Sequence, residues 1–404
     1  MARILWHSAA PWCTTGYGQQ TDLFTQRLVE AGHDVEISAH YGIEGRQSTW
    51  RGITVRPGAN DFGNYLLPRY LDAIEPDLLI TLMDVHVLDG AMLKEKPVPV
   101  AAWVPVDHAP LGCQIEEWFK ESGATPVAMS RHGERQFEEA GIDCLYVPHG
   151  IDTEIFRPYD KAEARDRFDL PQDAFLVGMV AANGDQSPSR KAWPEALRAY
   201  HRFRETHPDA LLYVHTSLTG QAGGGMGVNL AWLCERIGLG PDDLRGTPQL
   251  TYDTDGVPPE KLAVLYSAFD VLLSPSYGEG FGLAPLEAQA CGVPVIVSDF
   301  SAQPELCGAG WQVSGEPWWV NTYRAWWQQP SVDAIVVALE HSYEARGDAA
   351  LAAEARMFAE TYDADAVYAE HWTPALERLL LETSRVVLPN RAQRRALAKA
   401  GAAA

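Results

Sequence analysis

Basic residues are scarce in this sequence. Only 32 Lys and Arg stand against 54 Asp and Glu, a net formal charge of −22 over 404 residues. That deficit argues against a general polyanion binder, whose affinity rests on neutralised phosphates, while leaving room for a local basic patch. Cysteine is sparse too. Cys13, Cys113, Cys144, Cys234, Cys291 and Cys307 lie far apart, with no Cys-x-x-Cys pair. In a chain of this length they read as reduced thiols, and a cytoplasmic location is expected. No apolar run reaches the roughly 18–20 residues of a membrane span, and Ile4-Leu5-Trp6 is too short for a signal-peptide core. No His, Cys or carboxylate cluster has a convincing metal spacing, so no metal is expected. What remains is ordinary globular material, 46% hydrophobic and 21% charged, and long enough for two domains of roughly 150–200 residues.

The order of elements predicts an α/β fold built twice. Residues 3–7 read as a buried strand, 8–18 as a loop, 19–31 as a helix closed by Gly32, and 34–38 as a second strand. Strands follow at 77–82, 98–106, 126–130 and 144–148, with a helix at 131–140. Residues 149–160 lack a period and read as a linker. The scheme then restarts. Strands are expected at 175–181, 210–216, 271–274 and 293–298. Helices are expected at 193–205, 262–269, 285–290, 332–346 and 349–362. The expected division is a first Rossmann-like domain over 1–150 and a second over 151–362. A helix at 363–384 packs back on the first domain. A tail at 385–404 carries five basic residues and no acid, as a loose helix or disordered segment.

The densest signal is Ser276-Tyr277-Gly278-Glu279-Gly280-Phe281-Gly282-Leu283-Ala284-Pro285-Leu286-Glu287, between an expected strand and an expected helix. Ligands bind at the carboxyl ends of such strands. The glycines let the backbone approach a ligand, and the amides of Phe281, Gly282 and Leu283 sit at a helix start, a natural anion site. Glu279 and Glu287 are about two helical turns apart and can face one cleft, accepting hydrogen bonds from sugar hydroxyls. A second cluster, Asn183-Gly184-Asp185-Gln186-Ser187-Pro188-Ser189-Arg190-Lys191, places two cations before a helix, where they can stabilise a phosphate leaving group. In the first half, Gly16-Tyr17-Gly18 is a weak dinucleotide signal whose third glycine is replaced by Thr21. His108 follows an apolar strand and can reach a cleft. His149, at the linker, can touch it too.

Glu279-x₇-Glu287, the following Cys291-Gly292-Val293-Pro294-Val295, residues 260–276 and Val147-Pro148-His149-Gly150-Ile151-Asp152 together resemble retaining glycosyltransferases of the GT-B fold, glycosyltransferase family 4 (group 1). The resemblance covers most of residues 1–310. It is specific in the second half and looser in the first. It implies two Rossmann-like domains facing an interdomain cleft and a nucleotide-diphosphate-sugar donor, with no further cofactor. By that resemblance Glu287 binds ribose hydroxyls and Glu279 those of the transferred sugar. The Gly280–Leu283 backbone meets the sugar or diphosphate. Arg190 and Lys191, with Asn183 beside them, meet phosphate, although Asp185 stands where the commoner pattern has Arg. Gly16, Tyr17 and Gly18 lie against the donor phosphate and acceptor, and His108 lies near the reacting sugar. His108, Arg190, Lys191 and Glu279 are thus the expected catalytic set, acting by front-face attack without metal.

Two other functions stay open. One is an NAD-dependent oxidoreductase using Gly16-x-Gly18, with Glu36 as its acid. The other is a sugar-nucleotide-binding module without catalysis. The helices at 19–31 and 131–140 have no strong basic face of the membrane-surface kind, so a soluble acceptor is expected. A modified nucleic-acid base is the alternative, if the basic tail supplies the contacts. Asp253-Thr254-Asp255 reads as turn chemistry and Gly223-Gly224-Gly225-Met226-Gly227 as a mobile loop. Trp318, Trp319, Trp326 and Trp327 read as a satellite core under a long loop, or as a sugar or partner platform.

Overall fold

The computed structural model describes residues 1–385 except 60, 97, 186, 221–225, 241 and 253–255, with the backbone alone at 382–385. The Asp-x-Asp turn, three glycines of the expected mobile loop and residues 386–404 of the tail therefore lie outside the described residues.

Predominantly apolar runs make the central strands, because sheets covered on both faces need no polar side. The first sheet contains β1 (Arg3–Ala9), β2 (Asp34–Tyr41), β3 (Ser48–Trp50), β4 (Ile53–Pro57), β5 (Leu78–Leu82), β6 (Val100–Val104), β7 (Thr125–Ala128) and β8 (Leu145–Tyr146). Its order is β3-β4-β2-β1-β5-β6-β7-β8, parallel except at the β3–β4 pair. Every residue of β5 and β6 is buried. The second sheet contains β9 (Phe175–Val180), β10 (Ala210–His215), β11 (Leu244–Gly246), β12 (Val271–Ser274), β13 (Val295–Ser298) and β14 (Gly310–Val313). It is ordered β11-β10-β9-β12-β13-β14 and is parallel throughout.

Three departures from the sequence expectation have local causes. The first helix starts at Gly16 rather than residue 19, because Thr15 caps it: its hydroxyl accepts the Gly18 N–H at 3.2 Å. Gly16-Tyr17-Gly18 is therefore the first helical turn and not a loop. Strands β3 and β4 and the helices Leu67–Ile74 and Cys113–Ser122 are too short and interrupted for their periods to stand out. The tryptophan-rich segment is a hairpin, β15 (Gly315–Val320) against β16 (Ala325–Pro330), with Trp318 opposite Trp327 and Trp319 opposite Trp326. Trp318, Trp319 and Trp326 are exposed, and only Trp327 enters a small core with Tyr277 and Ala192.

The chain passes between the halves twice, side by side. Ile151 N–H donates to Tyr362 O at 3.0 Å, and Ala364 N–H returns to Ile151 O at 2.9 Å. After the second crossing the chain lies on the first half. Trp372 packs against Trp103, Trp6 and Phe24, with ring centroids 5.0, 5.8 and 5.9 Å away. Arg27 pairs with Asp365 at 2.8 Å. One hydrophobic cluster runs from Trp6 and Trp103 through Ile151 to Phe281 and Leu286, so both halves share it.

Removing the Trp372 indole leaves a large void among three fully buried rings. Trp372→Ala is expected to destabilise the fold by about 3–5 kcal/mol, read as a lowered midpoint in chemical denaturation.

Candidate active site

Carboxyl ends of strands from both sheets open onto one cavity of about 1640 Å³. From the second sheet come the turn after β9, carrying Asp185, Arg190 and Lys191, and the turn after β12, carrying residues 279–283. From the first come Gly16 and Tyr17 after β1, Asp84 after β5, and Pro105 and Asp107 after β6. This is the location that parallel α/β sheets favour for ligands.

Two of the glycines serve the approach of the halves to each other rather than of a ligand. A Cβ on Gly278 would lie 2.0 Å from Asp107 O, and one on Gly280 would lie 2.3 Å from Pro105 Cβ. Neither position has room for a methyl group. Gly282 is different: its φ of +115° sets the turn into the helix Leu283–Ala290, which no side chain caps. Among the described residues the amides of Phe281, Gly282 and Leu283 find no protein acceptor. They present three free donors at a helix start.

The charges form a knot. Glu279 accepts from Lys191 Nζ, and from Arg190 Nη1 at 3.2 Å. Arg190 also donates to Gly278 O at 2.9 Å and stands 4.0 Å from Asp107. Burial alone would raise the Glu279 carboxyl; Lys191 and Arg190 outweigh it and hold it down at about 2. Asp107 follows the same logic. Burial is overcome by the His108 hydrogen bond and Arg190, leaving it at about 2. Both acids are therefore carboxylates at neutral pH.

Glu287 is the opposite case. It is buried away from any cation, with the Tyr266 hydroxyl donating to Oε2 at 2.8 Å and the Gln19 side chain nearby. Its Oε1 has no partner. Burial pushes its carboxyl up to about 7, with Tyr266 and Gln19 opposing. An orphaned buried acceptor facing a cleft is a place for a ligand's donor.

His149 is a second orphan. It lines the cavity at 3% exposure, edge-on to Trp103 at 4.6 Å and beside Phe281 at 4.9 Å, and neither ring nitrogen has a partner. Burial presses its pKa down to about 3.

Three expected site residues do not reach the cavity. His108 is buried beneath it. Its Nε2 accepts the Gly112 N–H at 2.9 Å, which leaves the proton on Nδ1, donated to Asp107 Oδ1 at 2.8 Å. Tyr323 stacks on its ring at 4.6 Å. The neighbouring Asp107 faces the cleft instead, held by His108 and by Trp327 Nε1 at 3.2 Å. Asn183 spends its amide on Ser217 O and Val228 O, both at 2.7 Å, and its oxygen on Val228 N–H, so it clamps a loop. Gly18 is required by packing: a Cβ there would lie 2.4 Å from Cys13 O. Gly16, Tyr17, Arg190, Lys191, Glu279, Gly280, Phe281, Gly282, Leu283 and Glu287 all line the cavity. Sequence reasoning missed Asp84, Tyr323 and Tyr266, whereas Trp327 stood among the tryptophans read as a satellite core or a sugar or partner platform. Asp107, not singled out in the sequence, carried a signal at the same strand end as His108. Among the described residues no three His, Cys, Asp or Glu side chains gather as a metal site. No helix among them is long and apolar enough to cross a membrane.

Residues 253–315 match the family described as glycosyl transferases group 1. A sucrose-phosphate synthase from Thermosynechococcus elongatus superposes with a TM-score of 0.71 at 18% identity, over 95% of this chain and 100% of that one. Anabaena HepE, solved in complex with UDP-glucose, gives 0.66 at 13% identity, over 93% and 100%. The chain has a GT-B glycosyltransferase fold. The D-inositol 3-phosphate glycosyltransferase of Acidothermus cellulolyticus is 36% identical over 152 residues, 38% of this chain. That match spans about a third of the relative's length, 32%.

The dinucleotide reading loses its parts in this GT-B setting. Glu36 is paired with Arg56 at 2.6 Å. The Thr21 hydroxyl is engaged with Trp6 Nε1 and Tyr17 O.

The buried His149 makes a pH prediction. Folded, it stays neutral down to about pH 3; unfolded, it takes up a proton near pH 6.5. The unfolded chain thus binds more protons below pH 6.5, and stability falls as pH drops. His149→Phe removes this cost. Relative to wild type it is expected to gain about 2 kcal/mol between pH 6.5 and 5 in denaturant titrations. An unchanged difference would mean that the folded ring is protonated.

Proposed function

We infer that the protein is a retaining, metal-independent glycosyltransferase that takes its sugar from a nucleotide-diphosphate donor. The observation that carries this reading is the pairing, in one cavity, of an orphaned buried carboxylate oxygen with free helix-start amides and two cations. Glu287 Oε1 offers an acceptor to ribose hydroxyls. The amides of residues 281–283, with Arg190 and Lys191, offer donors and positive charge to a diphosphate. Glu279, a carboxylate held by both cations, accepts hydroxyls of the transferred sugar. The UDP-glucose named with HepE supports a donor of this class.

In the reaction the bond from the anomeric carbon to the phosphate oxygen breaks, with its electron pair leaving on the diphosphate. The acceptor hydroxyl attacks the same face, and its proton passes to the departing phosphate oxygen. Negative charge grows on the leaving group, where Arg190, Lys191 and the fixed amides stabilise it without reorganisation. Asp107 and Glu279 hold these cations in place beforehand, and approach of the halves excludes water.

Release of nucleoside diphosphate from a panel of UDP- and GDP-sugars tests the reading directly. Lys191→Met is expected to lower turnover by about 10²–10³-fold. Unchanged turnover would contradict the assignment, and tighter binding of NAD than of any sugar nucleotide would favour the oxidoreductase.

Glu287 supplies a pH signature. With its folded pKa raised to about 7, it is a carboxylate above and a neutral acid below. Nucleotide affinity is expected to fall as pH drops from 8 to 6, by up to roughly tenfold. Calorimetry on Glu287→Gln is expected to show weaker binding and a flat profile over that range.

A further inference from the structure

The second half of the cavity has a different chemistry from the donor end. Among the described residues, no Lys or Arg of the first domain lines it; the only cations there are Arg190 and Lys191 of the second. Both already hold Glu279. The first-domain wall instead presents Asp84 and Asp107. Aromatic rings complete it. Tyr17 comes from the first helix. Tyr323 and Trp327 come from the β15–β16 hairpin of the second domain.

That hairpin is fastened across the cleft. Ala109 and Trp326 exchange backbone hydrogen bonds at 3.1 and 2.7 Å, and Cys113 N–H donates to Tyr323 O at 3.2 Å. It thereby fixes Tyr323 on His108 and Trp327 on Asp107, so the wall is built rather than incidental. The orphaned nitrogens of His149 in the same cavity mark it as a place for a polar ligand.

A diphosphate would take up the one pair of cations. A second phosphate, on the acceptor, would then face the Asp84 and Asp107 carboxylates with Arg190 already shared between Glu279 and Asp107, and like charges repel. Carboxylates and tyrosine hydroxyls suit hydroxyl groups, and aromatic faces suit the apolar faces of a sugar or cyclitol ring.

We propose that the acceptor is an unphosphorylated sugar or polyol, lying between the Asp84–Asp107 wall and the Tyr323–Trp327 face. This rests on the glycosyltransferase reading above. It sets the chain apart from the acceptor phosphate in the name of its inositol-phosphate relatives.

The test begins with the donor that the wild-type protein binds in calorimetry, so failure to bind any sugar nucleotide counts against the glycosyltransferase reading alone. That donor is then offered with matched acceptors: myo-inositol and inositol 3-phosphate, glucose and glucose 6-phosphate, fructose and fructose 6-phosphate, and methyl glycosides of common sugars. Product is read by mass. At least one unphosphorylated member is expected to be glycosylated, and each phosphorylated partner to react at least tenfold more slowly. Asp84→Lys is expected to raise the relative rate of the phosphorylated partner at least tenfold. The proposal is overturned if a phosphorylated acceptor matches or outpaces its partner. It is also overturned if no unphosphorylated member is accepted while the donor binds.

Discussion

The spacing between the two halves depends on two glycines that have no room for a methyl group. Gly278 brings the second-domain loop onto the Asp107 carbonyl, and Gly280 brings it onto Pro105. That contact puts Glu279, the residue between them, at the seam. From there it meets Lys191 and Arg190, and Arg190 in turn stands by Asp107 of the opposite half. A larger residue at either glycine would part the halves and draw Arg190 away from Asp107, while Glu279 and its two cations would move together as part of the second half. The site is thus a property of the seam and not of either domain alone.

The seam is supported from two sides. Below it, Trp372 returns from the second crossing to pack on Trp6 and Trp103. Trp103 touches His149, and His149 touches Phe281 of the donor loop. Aromatic contact therefore runs unbroken from the C-terminal segment to the donor end. Above it, the β15–β16 hairpin pairs with Ala109 and pins Asp107 through Trp327. The net charge of −22 acquires a location in this frame. The cavity wall of the first domain is acidic and carries no described cation, so cationic chemistry is concentrated at Arg190 and Lys191.

The α/β alternation was legible because strands such as β5, β6 and β12 are short, predominantly apolar and fully buried runs. The loop holding Glu279 and Glu287 was legible from its glycines and its place after a strand. Residues whose positions depend on long-range contacts were not. His108 had the right strand end, but its ring turned inward to hold Asp107, a choice made by Gly112 and Tyr323. Asn183 looked like part of a phosphate loop until Ser217 and Val228 took its amide. The glycines suggested close approach, and only the packing of the halves showed that the approaching group at two of them is protein. The tryptophan hairpin alternates too briefly to be distinguished from a loop. Its bridge to Ala109 lies more than two hundred residues away in sequence.

The central claim is that the orphaned Glu287 oxygen, the amides of residues 281–283 and the Arg190–Lys191 pair form one site for a sugar nucleotide. A crystal structure of the protein soaked with a nucleotide-diphosphate sugar tests it most directly. The account predicts ribose hydroxyls within hydrogen-bond distance of Glu287 Oε1, with the diphosphate on those amides and both cations. A nucleotide lying along Gly16 and Gly18, with Glu287 Oε1 still unpartnered, would contradict it.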